Sequence, residues 1–355
     1  MDSIDLAHWL LHNAGPSIRF RVLVDILNEQ DVGLIGRALN EMLESSEVVK
    51  WLEHLTPRLD FNNIHSSRID AFENVMGKLV QLGLRAGLQP FDTKTLPFRV
   101  WLTDNVGTVP EKPHAIFLRT VIASFLAYAG YGSTKPVNDQ MLDRLQSLYE
   151  FAKDPDFSNI FVDKSTYKGV PKNSEYRLVN PDVYPEQRFQ LPWIHDIRGL
   201  ASSRSIMDNK KQRYKLNKIV ELVLTEEYQN LPWSYGLAKY GSRYYVIGWA
   251  AHLPGYSRKA EGREFAELLL TLEFIAKFPI AHNSDWFNRS MEYLESFETE
   301  SGTYIFPRGW LSEKKTSYWV GGTRMMLDER KGNPHAIECE STFRMLTIKQ
   351  ALRIV

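Results

Sequence analysis

SGTYIFPRGW at residues 301–310 and ECESTFRML at residues 338–346 carry the strongest fold signal in this chain. The first stretch joins a glycine turn to aromatic residues and ends on Trp310, and another tryptophan follows at Trp319. The second stretch opens a final apolar helix with acids and hydroxyls, which suit the start of a helix. This order is typical of a segment that closes a ring of helical hairpins around a central cavity.

Upstream of this segment, amphipathic helices alternate with more apolar ones. Ala115 to Tyr128 is apolar almost all round, as in a helix that protein encloses on every side. Amphipathic helices are predicted at residues 17–28, 66–84, 137–151, 212–224, 264–277 and 286–297. Concentric outer and inner helices would produce this alternation. We therefore predict an all-α fold, an α/α toroid, with residues 1–355 as a single domain.

One long stretch, residues 154–192, breaks the helical pattern. It is rich in Pro, Asn, Asp and Tyr and shows little helical periodicity. Irregular stretches of this length are uncommon in compact domains and are often functional. We predict a long irregular insertion or lid folded over one mouth of the ring, and a surface excursion without a role is the alternative.

Composition narrows the class of protein. Lys and Arg together number 43, as do Asp and Glu, so the formal net charge is zero, which argues against a dedicated nucleic-acid binder. The single cysteine, Cys339, excludes an internal disulfide and fits a reducing compartment. Residues 1–5 are acidic where a signal peptide would be basic, and no apolar run reaches the roughly 20 residues of a membrane span. We predict a cytoplasmic protein without a transmembrane segment, and peripheral membrane contact through an apolar patch stays open.

Two short segments suggest a family. PSIR at residues 16–19 and STFR at residues 341–344, with the hairpin order, resemble bacterial proteins related to the prenyltransferase and squalene–hopene cyclase group. The resemblance implies an aromatic-lined cavity and terpenoid-cyclase-like chemistry on an apolar small molecule. The cyclases' Asp-x-Asp-Asp motif is absent, and DPD at residues 154–156 comes nearest. The zinc-ligand order of the prenyltransferases is also missing, because no histidine follows Cys339.

A first candidate catalytic cluster follows the long irregular stretch. WIHDIR at residues 193–198 places His195, Asp196 and Arg198 beside Trp193. His195 and Arg198 are three residues apart and share a helix face. A histidine or a carboxylate can transfer a proton.

A second cluster is HSSRIDAFE at residues 65–73. His65 is predicted at a helix N-terminus, where backbone N–H groups favour anions. Asp70 and Glu73 are three residues apart and are expected on one helix face. An acid and a histidine near a cavity mouth could transfer a proton, whereas helix capping plus a solvated charged face is the alternative.

A third cluster is HAIECE at residues 335–340. Its donor types bind transition metals, but the paired-ligand spacing of a zinc site is missing, which disfavours a metal. Glu340 is instead predicted as an acid of the last inner helix, and Cys339 as a small buried residue. Neither a P-loop nor Gly-x-Gly-x-x-Gly is present, so no nucleotide cofactor is assigned.

Aromatic residues are concentrated between residues 233 and 252. Aromatic faces suit cations, sugar rings or apolar chains, whereas a cluster of packing aromatics is the alternative. The predicted substrate-binding residues are Trp193, Tyr235, Tyr240, Arg243, Tyr244, Trp249, His252, Trp310 and Trp319.

Two classes of function remain open. The first is an enzyme, either a terpenoid-cyclase-like lyase or isomerase, or a carbohydrate-active hydrolase or lyase. Hydrolysis would use paired carboxylates, and elimination from a uronic acid would use Tyr, His and Arg. The second class is a non-catalytic binder of a small molecule or a protein. The predicted catalytic residues are His195, Asp196, Arg198, Asp70, Glu73 and Glu340, while substrate, reaction type and oligomeric state stay open.

Overall fold

The computed structural model describes residues 2–108, 115–171, 174–311, 313–328 and 332–353. Within them the chain is mostly helical, as predicted, and it also contains a small four-stranded sheet that the all-α prediction lacked. The chain divides into two compact units. The first unit comprises residues 1–98 and 254–355, and the second unit comprises residues 99–253.

Helices form the N-terminal part of the first unit. They are α1 (Ser3–Asn13), α2 (Pro16–Arg21), α3 (Val32–Glu44), α4 (Ser46–His54), α5 (Phe72–Leu82) and α6 (Gln89–Asn105), which extends past residue 98. Asp2 caps the N-terminus of α1. Its carboxylate accepts hydrogen bonds from the backbone N–H groups of Ile4 (2.8 Å) and Asp5 (2.9 Å). Gly83 caps the C-terminus of α5. Its φ of +111° lies in the left-handed region, which glycine adopts more easily than other residues.

The second unit contains helices and all four strands. These are α7 (Ala115–Leu126), α8 (Lys135–Ala152), β1 (Phe161–Val162), β2 (Leu178–Val179), α9 (Ile194–Ala201), α10 (Arg204–Met207), α11 (Lys210–Leu224), α12 (Glu226–Gln229), β3 (Gly236–Tyr240) and β4 (Arg243–Ile247). Nearly every side chain of α7 is buried, which confirms the prediction of an enclosed helix. This helix packs against α8 and α9.

The strands form one sheet in the order β1-β2-β3-β4. β1 and β2 pair antiparallel, β2 and β3 pair parallel at Leu178 and Leu237, and β3 and β4 form an antiparallel hairpin. Gly241 makes the hairpin turn with a φ of +58°. The stretch at residues 154–192, apart from residues 172–173, is mostly loop. Its short elements are β1, β2 and the 3₁₀ turns Phe157–Asn159, Lys164–Thr166, Pro181–Val183 and Pro185–Gln187. Its irregular character is therefore confirmed, and its role as a lid stays a prediction.

The C-terminal part of the first unit returns to helices. They are α13 (Arg263–Ile275), α14 (Asp285–Glu295) and α15 (Ala336–Arg353). α15 packs against α1, α2 and α13, so its buried side chains belong to the core of this unit. Among the residues that the structure describes, no helix is long and apolar enough to cross a membrane.

The helix predicted from Ser66 or Ser67 begins later, at Phe72. The side-chain amide of Asn74 donates hydrogen bonds to the backbone carbonyls of Ser66 (3.0 Å) and Arg68 (2.7 Å), which holds this segment in a non-helical turn. Asp70 lies in that turn, before the helix starts. The prediction that Asp70 and Glu73 share a helix face is therefore wrong.

Candidate active site

One face of α5 is polar and yet buried. Glu73, Asn74, Lys78 and Gln81 recur at helical spacing, and each is at most 1% exposed. Buried lysines and glutamates are rare unless they are paired, because removing an ion from water is costly. The partners of these side chains therefore locate the polar interior of the first unit.

Glu73 is paired with His65. The Nδ1 atom of His65 lies 2.6 Å from Oε2 of Glu73. The Glu73 side chain is completely buried, whereas 11% of the His65 side chain is exposed. A carboxylate that accepts a hydrogen bond from Nδ1 fixes the orientation of the ring and its tautomer. The pair therefore has the arrangement of a proton-transfer histidine with its orienting acid.

Asn74 holds the two loops on either side of this pair. Its amide nitrogen binds the 66–68 turn, and its Oδ1 accepts a hydrogen bond of 2.5 Å from the backbone N–H of Trp319. The backbone N–H of Ser317 donates to the carbonyl of Ser67 at 2.8 Å and joins the two loops directly. These hydrogen bonds position His65 over the start of α5 and bring residues 317–319 beside it.

Tyr318 and Trp319 complete the surroundings of the pair. The Tyr318 ring stacks on the His65 ring, with centroids 4.7 Å apart and planes inclined by 30°. Trp319 packs against Gly77, where a Cβ would lie only 2.3 Å from the indole, so this helix position must be glycine. Burial, and after it the charge of Glu73, raises the pKa of Tyr318. The phenol is therefore neutral at neutral pH.

Lys78 occupies the next turn of the same face. Its ammonium donates to Glu313 at 3.1 Å and to the backbone carbonyls of Arg324 and Met326. The Arg324 guanidinium in turn donates to the carbonyls of Lys314 (2.7 Å) and Ser317 (2.9 Å). These cations hold the 313–326 segment in place and so support the position of Tyr318.

Glu340 belongs to a second buried network in the same unit. The Arg344 guanidinium lies 3.0 Å from Glu340 and 3.2 Å from Glu273, and it donates to Oε1 of Gln81 at 2.9 Å. It also donates to the carbonyl of Met325 at 2.6 Å. The predicted acid of the last helix is therefore buried in a structural ion network.

Asp70, another predicted acid, forms a surface ion pair. Both of its carboxylate oxygens lie 2.9 Å from the guanidinium of Arg68. This hydrogen bonding lowers the pKa of Asp70, so the carboxylate stays ionised. For Asp70, this position favours the alternative in which the acid belongs to a solvated charged face.

In the second unit, Asp196 is buried and paired with Arg144. Two hydrogen bonds of 2.8 and 2.9 Å join the carboxylate to the guanidinium. The carboxylate also accepts a hydrogen bond of 2.9 Å from the backbone N–H of Trp193. The Arg144 guanidinium lies 4.3 Å from the centroid of the Trp193 ring. Asp196 thus caps the N-terminus of α9 and ties this helix to α8.

His195 and Arg198 lie in aromatic surroundings inside the second unit. The His195 ring makes edge contacts with Phe117, at 5.4 Å, and with Trp249, at 6.1 Å between centroids. The Arg198 guanidinium lies 5.5 Å from the Phe125 ring. Both side chains are buried, at most 2% exposed.

The predicted aromatic set divides between interior and surface positions. Tyr235 is buried and donates to the carbonyl of Pro192 at 2.7 Å, whereas Tyr244, on the hairpin, donates to the carbonyl of Lys168 at 2.9 Å. Burial lowers the pKa of His252, so its imidazole is neutral at physiological pH. Tyr240 and Arg243 flank the hairpin turn.

In the first unit, the Trp310 ring packs at a tilt of 54° against Phe265, with centroids 5.1 Å apart. The third sequence cluster lies at the start of α15. His335 lies 3.0 Å from Glu338, and burial raises the pKa of the Cys339 thiol to about 12. A thiol with that pKa is not nucleophilic at neutral pH.

Asp328 makes the stability of the first unit depend on pH. Its carboxylate accepts a hydrogen bond of 3.2 Å from the backbone N–H of Ser17. Burial raises the pKa of Asp328 most, the hydrogen bond from Ser17 lowers it, and the like charge of Glu340 raises it. The net result is a pKa raised from the ordinary 3.8 to about 6. A carboxyl with a raised folded-state pKa stabilises the fold below its unfolded pKa and loses that contribution as pH rises through the folded one.

We therefore expect Asp328→Asn to stabilise the protein at pH 7–8 by about 1–3 kcal/mol, because asparagine keeps the acceptor without the charge. The difference should shrink as pH falls from about 6 to below 4. Urea unfolding of both proteins across this range measures it. A constant difference at all pH values would contradict the assignment.

No family model, no curated protein and no solved structure matches this chain. The site therefore rests on its own geometry. Sequence reasoning identified Glu73 and His65 but missed Tyr318, which is distant in the chain from both. The only available signal for Tyr318 was its place beside Trp319, within a segment rich in aromatic residues.

Proposed function

We propose that this protein is an enzyme that catalyses proton transfer on a small organic substrate, with His65 as general base and Tyr318 as general acid. The 2.6 Å contact between His65 Nδ1 and the fully buried Glu73 carries the proposal. Such a carboxylate favours the tautomer with the proton on Nδ1 and stabilises the imidazolium that forms when Nε2 takes a proton.

The chemistry of this pair favours a lyase or an isomerase. A hydrolase acting on glycans would use two carboxylates flanking the scissile bond, and Glu73 is already committed to the imidazole. A terpenoid cyclase must protonate an alkene, which needs a much stronger acid than imidazolium. Proton abstraction next to a carbonyl or carboxylate suits a histidine, and the Tyr318 phenol, stacked on His65, supplies the proton for the leaving group.

We propose an α/α toroid as the arrangement of the helices, with a sugar acid as the first substrate class to examine. The alternation of apolar and amphipathic helices supports the toroid. The buried polar faces of α5 and α15 are what inner helices around a reaction site would present. Elimination from a uronic acid uses the Tyr and His types that this site brings together.

Solvent-deuterium exchange tests this proposal. The protein is incubated in D₂O with a panel of uronic-acid oligosaccharides and carbonyl compounds, and deuterium at the carbon next to the carboxylate or carbonyl is followed by NMR. Unsaturated products are followed by ultraviolet absorbance. We expect exchange or elimination with one class of the panel, and a rate lower by about 10²–10⁴-fold in His65→Gln.

His8→Gln is the matched control, because His8 is an exposed histidine on α1 of the same unit. It should keep the wild-type rate. Turnover by His65→Gln at the wild-type rate, or no exchange with any member of the panel, would overturn the proposed reaction.

A further inference from the structure

A surface pocket of about 430 Å³ lies in the first unit. Its walls are the 255–260 loop that precedes α13, one face of α14, and Leu268. Sites for small molecules usually have volumes of roughly 300–1,000 Å³. The pocket shares no residue with the His65–Glu73 pair, so it constitutes a separate candidate site.

Positive charge dominates the lining of this pocket. Arg258, Lys259 and Arg289 contribute three cations, against the carboxylate of Glu292. Arg258 is neutralised by Glu264, because the two groups lie 2.8 Å apart. The carboxylate of Glu292 offsets part of the remaining charge, so Lys259 and Arg289 leave an excess of one positive charge in the lining.

Lys259 and Arg289 are held in place by neutral groups. The Arg289 guanidinium donates to the backbone carbonyl of Tyr256 at 2.9 Å. The Lys259 ammonium lies 4.8 Å from the centroid of the Tyr293 ring. A carbonyl and an aromatic face orient these cations without cancelling their charge. Both cations line the pocket, and each is oriented by one of these contacts.

The rest of the lining suits a ring with a charged group attached. Tyr256 and Tyr293 provide aromatic surfaces, on which sugar or base rings pack. Ser257 and Ser290 provide hydroxyls that can donate hydrogen bonds to anionic oxygens. Arginine and lysine together are the usual partners of a phosphate group.

We propose that this pocket binds a phosphate monoester carried on a ring, such as a sugar phosphate or a mononucleotide. Lys259 and Arg289 contact the phosphate, and the tyrosines contact the ring. This function is additional to proton transfer at His65 and does not depend on it.

Calorimetric titration of the full chain tests the proposal, with AMP, ribose 5-phosphate, adenosine and inorganic phosphate as probes. We expect AMP or ribose 5-phosphate to bind at least about tenfold more tightly than adenosine and inorganic phosphate, because ring and phosphate both contribute. Lys259→Gln and Arg289→Gln should each weaken binding by about tenfold. Added salt should weaken it further.

Arg308→Gln is the matched control, because it removes an exposed cation of the same unit that does not line the pocket. It should bind like the wild type. Lys259→Gln keeps the test informative if Arg289→Gln disturbs the loop that Arg289 holds. Equal affinity for adenosine and AMP, wild-type affinity in Lys259→Gln, or no binding of any probe would overturn the proposal.

Discussion

Replacing Arg344 by leucine is expected to lower the free energy of unfolding by about 3–5 kcal/mol. Its guanidinium is 1% exposed and contacts Glu340, Glu273, Gln81 and the carbonyl of Met325. Leucine fills much of the volume but leaves two carboxylates buried without their cation. The cost of burying those charges determines the size of the effect. Urea unfolding monitored by circular dichroism measures it.

Arg19→Leu provides the control for this prediction. Arg19 pairs with Glu41 at 2.7 Å, but its side chain is 34% exposed, so losing this pair should cost at most about 1 kcal/mol. Similar losses in Arg19→Leu and Arg344→Leu would show that the buried network does not stabilise the first unit in the way the contacts indicate.

Replacing Glu73 by glutamine is expected to lower turnover by about 10²–10⁴-fold. Glutamine has nearly the same shape, so the packing around α5 is kept. It lacks the charge that stabilises the imidazolium, and its amide can present a donor to Nδ1 in place of an acceptor. The affected quantity is therefore the rate of proton transfer, measured on whichever substrate the deuterium-exchange panel identifies.

Asp70→Asn distinguishes between the two acids of this sequence cluster. Asp70 pairs with Arg68 at the surface, so its substitution should leave turnover unchanged. A large loss of turnover in Asp70→Asn, together with normal turnover in Glu73→Gln, would transfer the catalytic role to the other carboxylate. Thermal unfolding of both variants separates loss of fold from loss of chemistry.

The sequence predicted helices best where periodicity was strong. The helix predicted at residues 264–277 is observed at Arg263–Ile275, and the one predicted at 286–297 is observed at Asp285–Glu295. The β3–β4 hairpin was missed, although its tyrosines, valine and isoleucine and its glycine turn favour strands. The helix start at Phe72 depends on Asn74 holding the preceding turn, which periodicity cannot reveal.

The candidate site was only partly predictable, because its parts are distant in the chain. His65 and Glu73 are eight residues apart, so one segment supplies both and the sequence could suggest them. Tyr318 lies beside His65 because the neighbouring residues 317 and 319 are hydrogen-bonded to Ser67 and Asn74. Such tertiary contacts leave no local pattern. The burial of Lys78 likewise leaves no local pattern in the sequence.

Nitrogen-15 NMR of the His65 ring tests the central claim most directly, because it needs no substrate. His65 is assigned by comparison with His65→Gln, and the neutral ring is compared in wild type and Glu73→Gln. We predict the tautomer protonated at Nδ1 in the wild type, because the Glu73 carboxylate accepts that hydrogen bond. Glu73→Gln should shift the ring toward protonation at Nε2. A wild-type ring protonated at Nε2, or no change in Glu73→Gln, would contradict the proposed acid–base pair.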